Sequence, residues 1–321
     1  MTPELVALMA GQRAYYAARA PTYDDWWQRN GIYDEGDGRN AAWTADVEAL
    51  QAWLGSQGRL GRCIELAGGT GLWTTRLGRQ ADELLVVDAS REVLTLNRAR
   101  GHPPHVRFRQ ADIFALEPLQ QFDTVFFGFW LNHVPNSLRA RFWALVRGLL
   151  RPGGRALFVD SAAASTIWRF DESIDRQGDR IQQRELDGAV FGVVKQPLAP
   201  DDVRQWLCAE GWWADVAQTN EFFIHGRCEP AAVEVVALTC TCDIAPVQFE
   251  GRTRDDRPLY IRQHEGPATV CIGRPRETMA AAVQGDPQFL VPLLAQDDAR
   301  NMLDDIARWC DLTLPDHIAG L

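Results

Sequence analysis

The chain has 321 residues, 46% hydrophobic and 24% charged, a balance that excludes a disordered polypeptide and allows one elaborate domain or two around a sizeable core. Its net charge of -10 weighs against a surface built to neutralise phosphates, so the expected partner is a small molecule and not a nucleic acid. No apolar run approaches the roughly 20 residues that cross a bilayer, and the opening Met1-Thr2-Pro3-Glu4 lacks the basic and apolar regions of a leader, so a cytoplasmic location without a membrane partner is expected.

Residues 5–20 place apolar and aromatic side chains at helical spacing and stop before Pro21, which disfavours a helical residue ahead of it. A turn-rich stretch at 31–38 follows, and 40–54 reads as a second amphipathic helix. From Arg62 onward, short apolar runs alternate with helical stretches. Strands are expected at 63–67, 84–88, 106–109, 124–129 and 156–160, with helices at 72–79, 91–100 and 138–150, the last closed by the stop signal Arg151-Pro152-Gly153-Gly154. That alternation is the pattern of an α/β fold with a parallel sheet.

After Asp160 a polar, helix-capable stretch runs to about 187. A strand at 189–195, a helix at 200–210 and closing strands at 213–216 and 221–226 follow. Cys228-Glu229-Pro230 reads as a boundary, which divides the chain into 1–228 and 229–321. The second part reads as a small α+β module of unassigned role, with strands at 233–240, 247–251, 259–264 and 269–273 and helices at 276–283 and 296–310. The last helix presents Met302, Leu303, Ile306 and Trp309 on one face.

Seven cysteines, scattered and without C-x-x-C spacing, encode neither a disulfide framework nor a metal site. Of the twelve tryptophans, Trp26, Trp27, Trp43, Trp53, Trp73 and Trp130 fall in the first half. They serve either as core or as ring faces around a cationic ligand. No nucleophile elbow, H-E-x-x-H or P-loop is present, which removes the main support for hydrolase, zinc peptidase and nucleotidase functions.

The informative segment is Glu65-Leu66-Ala67-Gly68-Gly69-Thr70-Gly71, at the end of the first strand and the start of a helix. A dinucleotide dehydrogenase would carry a third glycine where Thr74 stands. Instead, three successive strand ends are acidic. Glu65 precedes the glycines, Asp88 can accept hydrogen bonds from ribose hydroxyls or cap the helix after Ser90, and Asp112 can face an adenine amino group.

Over about residues 14–227 this arrangement resembles the class I S-adenosylmethionine-dependent methyltransferases. Glu65, Gly69 and Gly71 match the family's first motif, and Ala67 stands at its first glycine position. The resemblance implies a Rossmann-like sheet with helices on both faces and S-adenosyl-L-methionine as cofactor. It also implies a ribose contact for Asp88, an adenine contact for Asp112 with Ile113 on the ring, and a loop of Gly68, Gly69, Thr70 and Gly71 under the methionine moiety. Ala67, Ala89, Gly128, Phe129, Trp130 and Arg19 complete the expected cofactor set.

The fourth strand's end lacks the Asn/Asp-Pro-Pro-Tyr/Phe sequence with which the family holds a planar amino nitrogen, which weakens nucleobase or glutamine acceptors. The segment from Tyr15 to Trp27 is similar to the lid of lincosamide N-methyltransferases, and the similarity implies catalytic positions for Tyr15 and Tyr23. His133 is the candidate base if the acceptor must lose a proton, or else a hydrogen-bonding partner of backbone or cofactor.

The expected activity is methyl transfer to a small molecule, nitrogen before oxygen, in specialised metabolism, by a monomer or homodimer. The alternative is a protein that binds S-adenosylmethionine to control association through its C-terminal module.

Overall fold

The computed structural model describes residues 2–116, 122–163, 172–242, 247–254, 256–263, 268–273, 278–284, 289–291, 299–310 and 312–320. Thr2 accepts a hydrogen bond from the Leu5 amide at 3.3 Å, and Pro3 stands in the first turn, where its missing donor costs nothing, so helix α1 begins there (Pro3–Arg19). A turn at Ala20–Thr22 leads into α2 (Tyr23–Gln28) and then α3 (Asp37–Ser56).

The repeating unit then appears as β1 (Gly61–Leu66), α4 (Thr74–Gln80), β2 (Ala81–Asp88), α5 (Arg91–Ala99), β3 (Val106–Gln110), β4 (Phe122–Gly128), α6 (Asn136–Leu149) and β5 (Leu150–Ser161). Strands β6 (Glu172–Ile174), β7 (Arg180–Leu186) and β8 (Ala189–Val194) form a separate antiparallel sheet. Helix α7 (Pro200–Ala209), β9 (Trp212–Gln218) and β10 (Phe223–Pro230) complete the main sheet, whose order is β3-β2-β1-β4-β5-β10-β9.

Strands β1 to β5 pair in parallel, and β10 and β9 close the sheet antiparallel. Both faces are buried. On β4, Val125 and Phe127 join a cluster with Phe142, Trp143 and Val146 of α6, whereas Phe126 points into the opposite cluster with Trp43, Leu50 and Leu54 of α3. The period-2 alternation of a strand thus feeds two cores, and the continuous apolar run in the sequence follows from that.

Two expectations need correction. The Arg151-Pro152-Gly153-Gly154 segment is not a turn that ends before the strand. It lies inside β5, where the pairing with β4 shifts between Phe122 and Thr124 and Gly153 takes φ 72.

The stretch expected to be helix-capable before 187 contains β6 and β7 instead, while 164–171 lies outside the described residues. Gln182 and Arg184 of β7 are buried, so polar side chains occupy its inward face and hide the usual apolar alternation.

Beyond Pro230 come β11 (Val233–Cys242), β12 (Val247–Thr253), β13 (Pro258–Gln263), β14 (Ala268–Ile272), α8 (Met279–Gln284), β15 (Phe289–Val291), α9 (Ala299–Cys310) and β16 (Leu312–Thr313). The six strands form one sheet, covered by Met302, Leu303 and Ile306 in a hydrophobic cluster of its own. The side chain of Trp309, the turn residue Asp255, the strand end His264 and the expected helix residues 276–277 and 296–298 lie outside the described residues. Pairing of Glu229 with Trp213 and of Pro230 with Trp212 carries the first sheet two residues past 228. Cys63, Cys208, Cys228, Cys271 and Cys310 are free thiols, and no helix among the described residues is long and apolar enough to cross a membrane.

Candidate functional site

At the carboxyl ends of the parallel strands lies a cavity of about 850 Å³. Of the expected cofactor set, Ala67, Gly69, Thr70, Asp88, Ala89, Asp112, Ile113, Gly128, Phe129 and Trp130 line it. Gly69 has φ 53, and a Cβ built there meets nothing nearer than the Ala67 carbonyl at 3.9 Å, so a larger side chain would fill the cavity itself. Ala67 also lies in the left-handed region, at φ 52, as does Phe129 at φ 55. Two strained non-glycine residues thus border one cavity. Gly128 is required from behind, since a Cβ there would sit 2.8 Å from the ring of Trp73.

Asp88 accepts the amides of Gly69 and Ser90, each at 2.9 Å, and burial raises its pKa. Asp112 accepts the Phe114 amide at 2.9 Å and pairs with Arg13 of α1 at 3.0 Å. Glu65, Gly68 and Gly71 stand behind the lining. Glu65 is 2% exposed, accepts the Thr74 hydroxyl at 2.6 Å, and is pushed up to about 8 by burial. Asn97 of α5 donates to Thr74 at 2.9 Å and to the carbonyls of Gly68 and Gly69 at 3.3 and 3.2 Å, which holds the loop in shape.

Helices α1 and α2 cover the cavity. Besides the Arg13 pair, Asp24 accepts the Thr70 hydroxyl at 2.7 Å and pairs with Arg100, which also donates to the Thr70 carbonyl at 2.5 Å. Gln12 spans α1 and β8. Its amide nitrogen donates to the His133 carbonyl at 3.2 Å, and its oxygen accepts the Val194 amide at 3.0 Å.

A second cavity of about 430 Å³ shares Tyr16, Tyr23, Phe129 and His133 with the first and continues toward Arg19, Tyr33, Arg184 and Lys195. His133 lies with one ring nitrogen 2.7 Å from the Tyr16 hydroxyl and the other 2.5 Å from the Val194 carbonyl. Burial, then Lys195 and Arg184, hold its pKa well below the usual imidazole range. Asp160, at the end of β5, accepts the amides of Asn132 at 3.0 Å and Ser161 at 2.7 Å. Burial raises its pKa and lowers that of Lys195.

The aromatic lid is present, but its tyrosines divide differently from the expectation. Tyr23 lines both cavities and Tyr15 lines neither. Tyr15 packs edge-on against Tyr16 at 5.1 Å and beside Phe191 at 5.7 Å, and it is Tyr16 that faces the site. Neighbours on a helix point about 100° apart, and spacing alone does not set the phase. Arg19, expected beside the cofactor, lines the second cavity.

Gln12, Tyr16, Asn97, Asp160, Arg184 and Lys195 were not found from sequence. One signal did exist, since Lys195 is the single lysine of the chain, against a combined Lys and Arg count of 33.

Residues 63–154 match a family described as Methyltransferase domain. Among solved structures, the chain is 33% identical to DhpI in its SAH complex, at TM-score 0.57 over 70% of this chain and 97% of that one. It is 32% identical to DhpI in the complex titled SAM-HEP, at TM-score 0.56 over 70% and 98%. The CcbJ methyltransferase from Streptomyces caelestis, 16% identical over 68% and 98%, shares the fold at TM-score 0.51. No curated protein matches the sequence.

Proposed function

The chain belongs to the class I S-adenosylmethionine-dependent methyltransferases, and from that premise we propose that it methylates a nitrogen or oxygen of a small molecule seated in the second cavity. The observation that carries this reading is the meeting of two cavities at Tyr16, Tyr23, Phe129 and His133. One side has the strand-end carboxylates suited to a nucleoside, and the other has room for an acceptor.

Bound S-adenosylmethionine supplies a methyl group on a positively charged sulfur, open to in-line attack. The residues fit that group. Asp88 keeps lone pairs for ribose hydroxyls beyond the two amides it accepts, Asp112 faces the adenine end with Ile113 as an apolar surface, and Gly69 leaves open the space the ligand needs. Tyr16, Tyr23 and Phe129 surround the junction with ring faces that favour positive charge and exclude water. Alignment and water exclusion supply much of the acceleration for such a displacement. A role in specialised metabolism rests on the lid's similarity to antibiotic-tailoring enzymes.

The test is calorimetric titration with S-adenosylmethionine and S-adenosylhomocysteine, followed by mass spectrometry of products from a panel of small amines, alcohols and phenols. A protein that binds neither cofactor form would sink the proposal.

A further inference from the structure

Next to the cofactor loop lies another cavity, of about 670 Å³, which shares no lining residue with the two that meet at Tyr16 and Tyr23. Gly69 and Thr70 border the cofactor cavity, whereas the next residues, Gly71 and Leu72, border this one. Arg76 and Arg79 of α4 and Arg100 just beyond α5 line it with Gln28, Gln51 and Thr75. Among the described residues, no aspartate or glutamate lines it.

The chain has 43 acidic residues against 33 basic ones, so carboxylates are not scarce. Yet the side chains of Arg76 and Arg79 have no hydrogen-bond, ion-pair or ring partner among the described residues. They stand three positions apart on one helix, a spacing that brings side chains to a common face, where like charges repel. The repulsion is felt at Arg76, whose pKa is lowered by burial and then by Arg79. Arg100 is in part neutralised, since it pairs with Asp24 and donates to the Thr70 carbonyl at 2.5 Å. Gln28 accepts from the Asn30 amide at 3.1 Å through its oxygen, which leaves its own amide hydrogens to donate. The cavity is therefore rich in donors and in positive charge, drawn from separate helices.

We propose that Arg76, Arg79 and Arg100 bind the phosphate groups of a small molecule, at a site distinct from those of cofactor and acceptor. The inference goes beyond the methyl-transfer reading and does not depend on it. A guanidinium presents paired N–H donors in a planar fork that matches phosphate oxygens, and a diphosphate has charge and oxygens enough to engage several such forks at once. A lone carboxylate engages fewer of them. Because no lining residue is shared, a ligand there is compatible with bound cofactor.

The test is calorimetry on the full chain saturated with S-adenosylhomocysteine, so that the cofactor cavity is occupied, titrated with inorganic diphosphate, ADP and acetate. Saturable binding of diphosphate or ADP is expected, with acetate at least about tenfold weaker. Tighter ADP assigns the phosphates of a nucleotide, and tighter diphosphate a ligand without a nucleoside. Arg76→Gln and Arg79→Gln should each weaken phosphate binding at least about tenfold, the loss expected for one charge-assisted contact. Gln51→Glu, which brings negative charge to the cavity from α3, should weaken it as well. All three variants should keep S-adenosylhomocysteine affinity within about twofold.

Absence of saturable binding by both diphosphate and ADP overturns the site. Affinities unchanged in all three variants also overturn it, because the bound phosphate then lies elsewhere on the chain. Arg79 is exposed, so its variant decides the question even if Arg76→Gln does not fold. Failure to bind S-adenosylhomocysteine overturns the methyl-transfer reading instead, and the same titrations without it still test this cavity.

Discussion

The Tyr16 hydroxyl donates to Nε2 of His133 across 2.7 Å, because the other ring nitrogen, 2.5 Å from the Val194 carbonyl, can only act as a donor there. Burial holds the pKa of His133 well below the usual imidazole range, which favours this neutral form with both nitrogens engaged. With both ring nitrogens engaged, we propose that a substrate proton would pass to His133 by way of the Tyr16 hydroxyl. The base role expected of His133 alone is thereby proposed for the pair.

Tyr16→Phe should then lower kcat on the order of a hundredfold for an acceptor that must lose a proton, with little change in cofactor affinity. Steady-state kinetics and calorimetry on the same preparation separate the two quantities. Full turnover in Tyr16→Phe would show that the hydroxyl only packs.

Protonation of His133 also sets a pH dependence of stability. Its folded pKa lies below the unfolded value near 6.5, so the unfolded chain binds the extra proton, and the stabilising contribution present above that pH is lost as pH falls. In His133→Gln, thermal unfolding should depend less on pH between 7 and 5 than in the unaltered protein, whatever the offset at neutral pH. Parallel curves would contradict a buried neutral imidazole.

Glu65 acts in the opposite sense. Its carboxyl is raised from 4.5 to about 8, so the folded chain keeps a proton that the unfolded chain releases, and stability present below 4.5 is lost as pH rises through 8. Glu65→Gln, which still offers Thr74 an acceptor, should stabilise the cofactor-free protein at pH 9 relative to pH 5 by on the order of 1 kcal/mol or more. Denaturant melts at the two pH values measure it.

Asp88→Ala should weaken S-adenosylhomocysteine binding by on the order of 1–3 kcal/mol, because ribose donors and the Gly69 and Ser90 amides lose their shared acceptor. Gly69→Leu should be worse, since the backbone there is left-handed and the new side chain enters the cavity. Unchanged affinity in both folded variants would remove the loop from the cofactor site.

We expect a chain ending at Ala231 to fold, bind S-adenosylhomocysteine and retain turnover. The strands from β1 to β10 are complete by Pro230, and the cluster that follows draws only on Val233 and later residues. Ala231 is kept because its amide donates to the Gly211 carbonyl at 2.9 Å. Insolubility, or solubility without cofactor binding, would mean that the two parts share one folding unit.

The parallel sheet, its crossover helices and the acids at three strand ends were legible in the sequence because they rest on local rules. A strand repeats every two residues, a helix every 3.6, and a glycine loop with an acidic neighbour occupies one short segment. Glu65, Gly69, Asp88 and Asp112 could therefore be placed without knowing what lay across the fold. Even the departure at Ala67 was visible, although its left-handed backbone was not.

The acceptor side depends on long-range assembly. Gln12 meets Val194 across 182 positions, Tyr16 meets His133 across 117, and Arg19 ends α1 while Arg184 lies on β7 and Lys195 follows β8. Strand β7 buries Gln182 and Arg184 toward that polar cavity, so its inward face carried no apolar pattern, and periodicity pointed to a helix instead. Sequence by itself determined the parallel sheet and the acidic side chains at its strand ends, because those signals are local. Only the tertiary structure decided which tyrosine faces the junction and where the cations converge, because chain packing sets a helix's rotational phase and draws buried charges together.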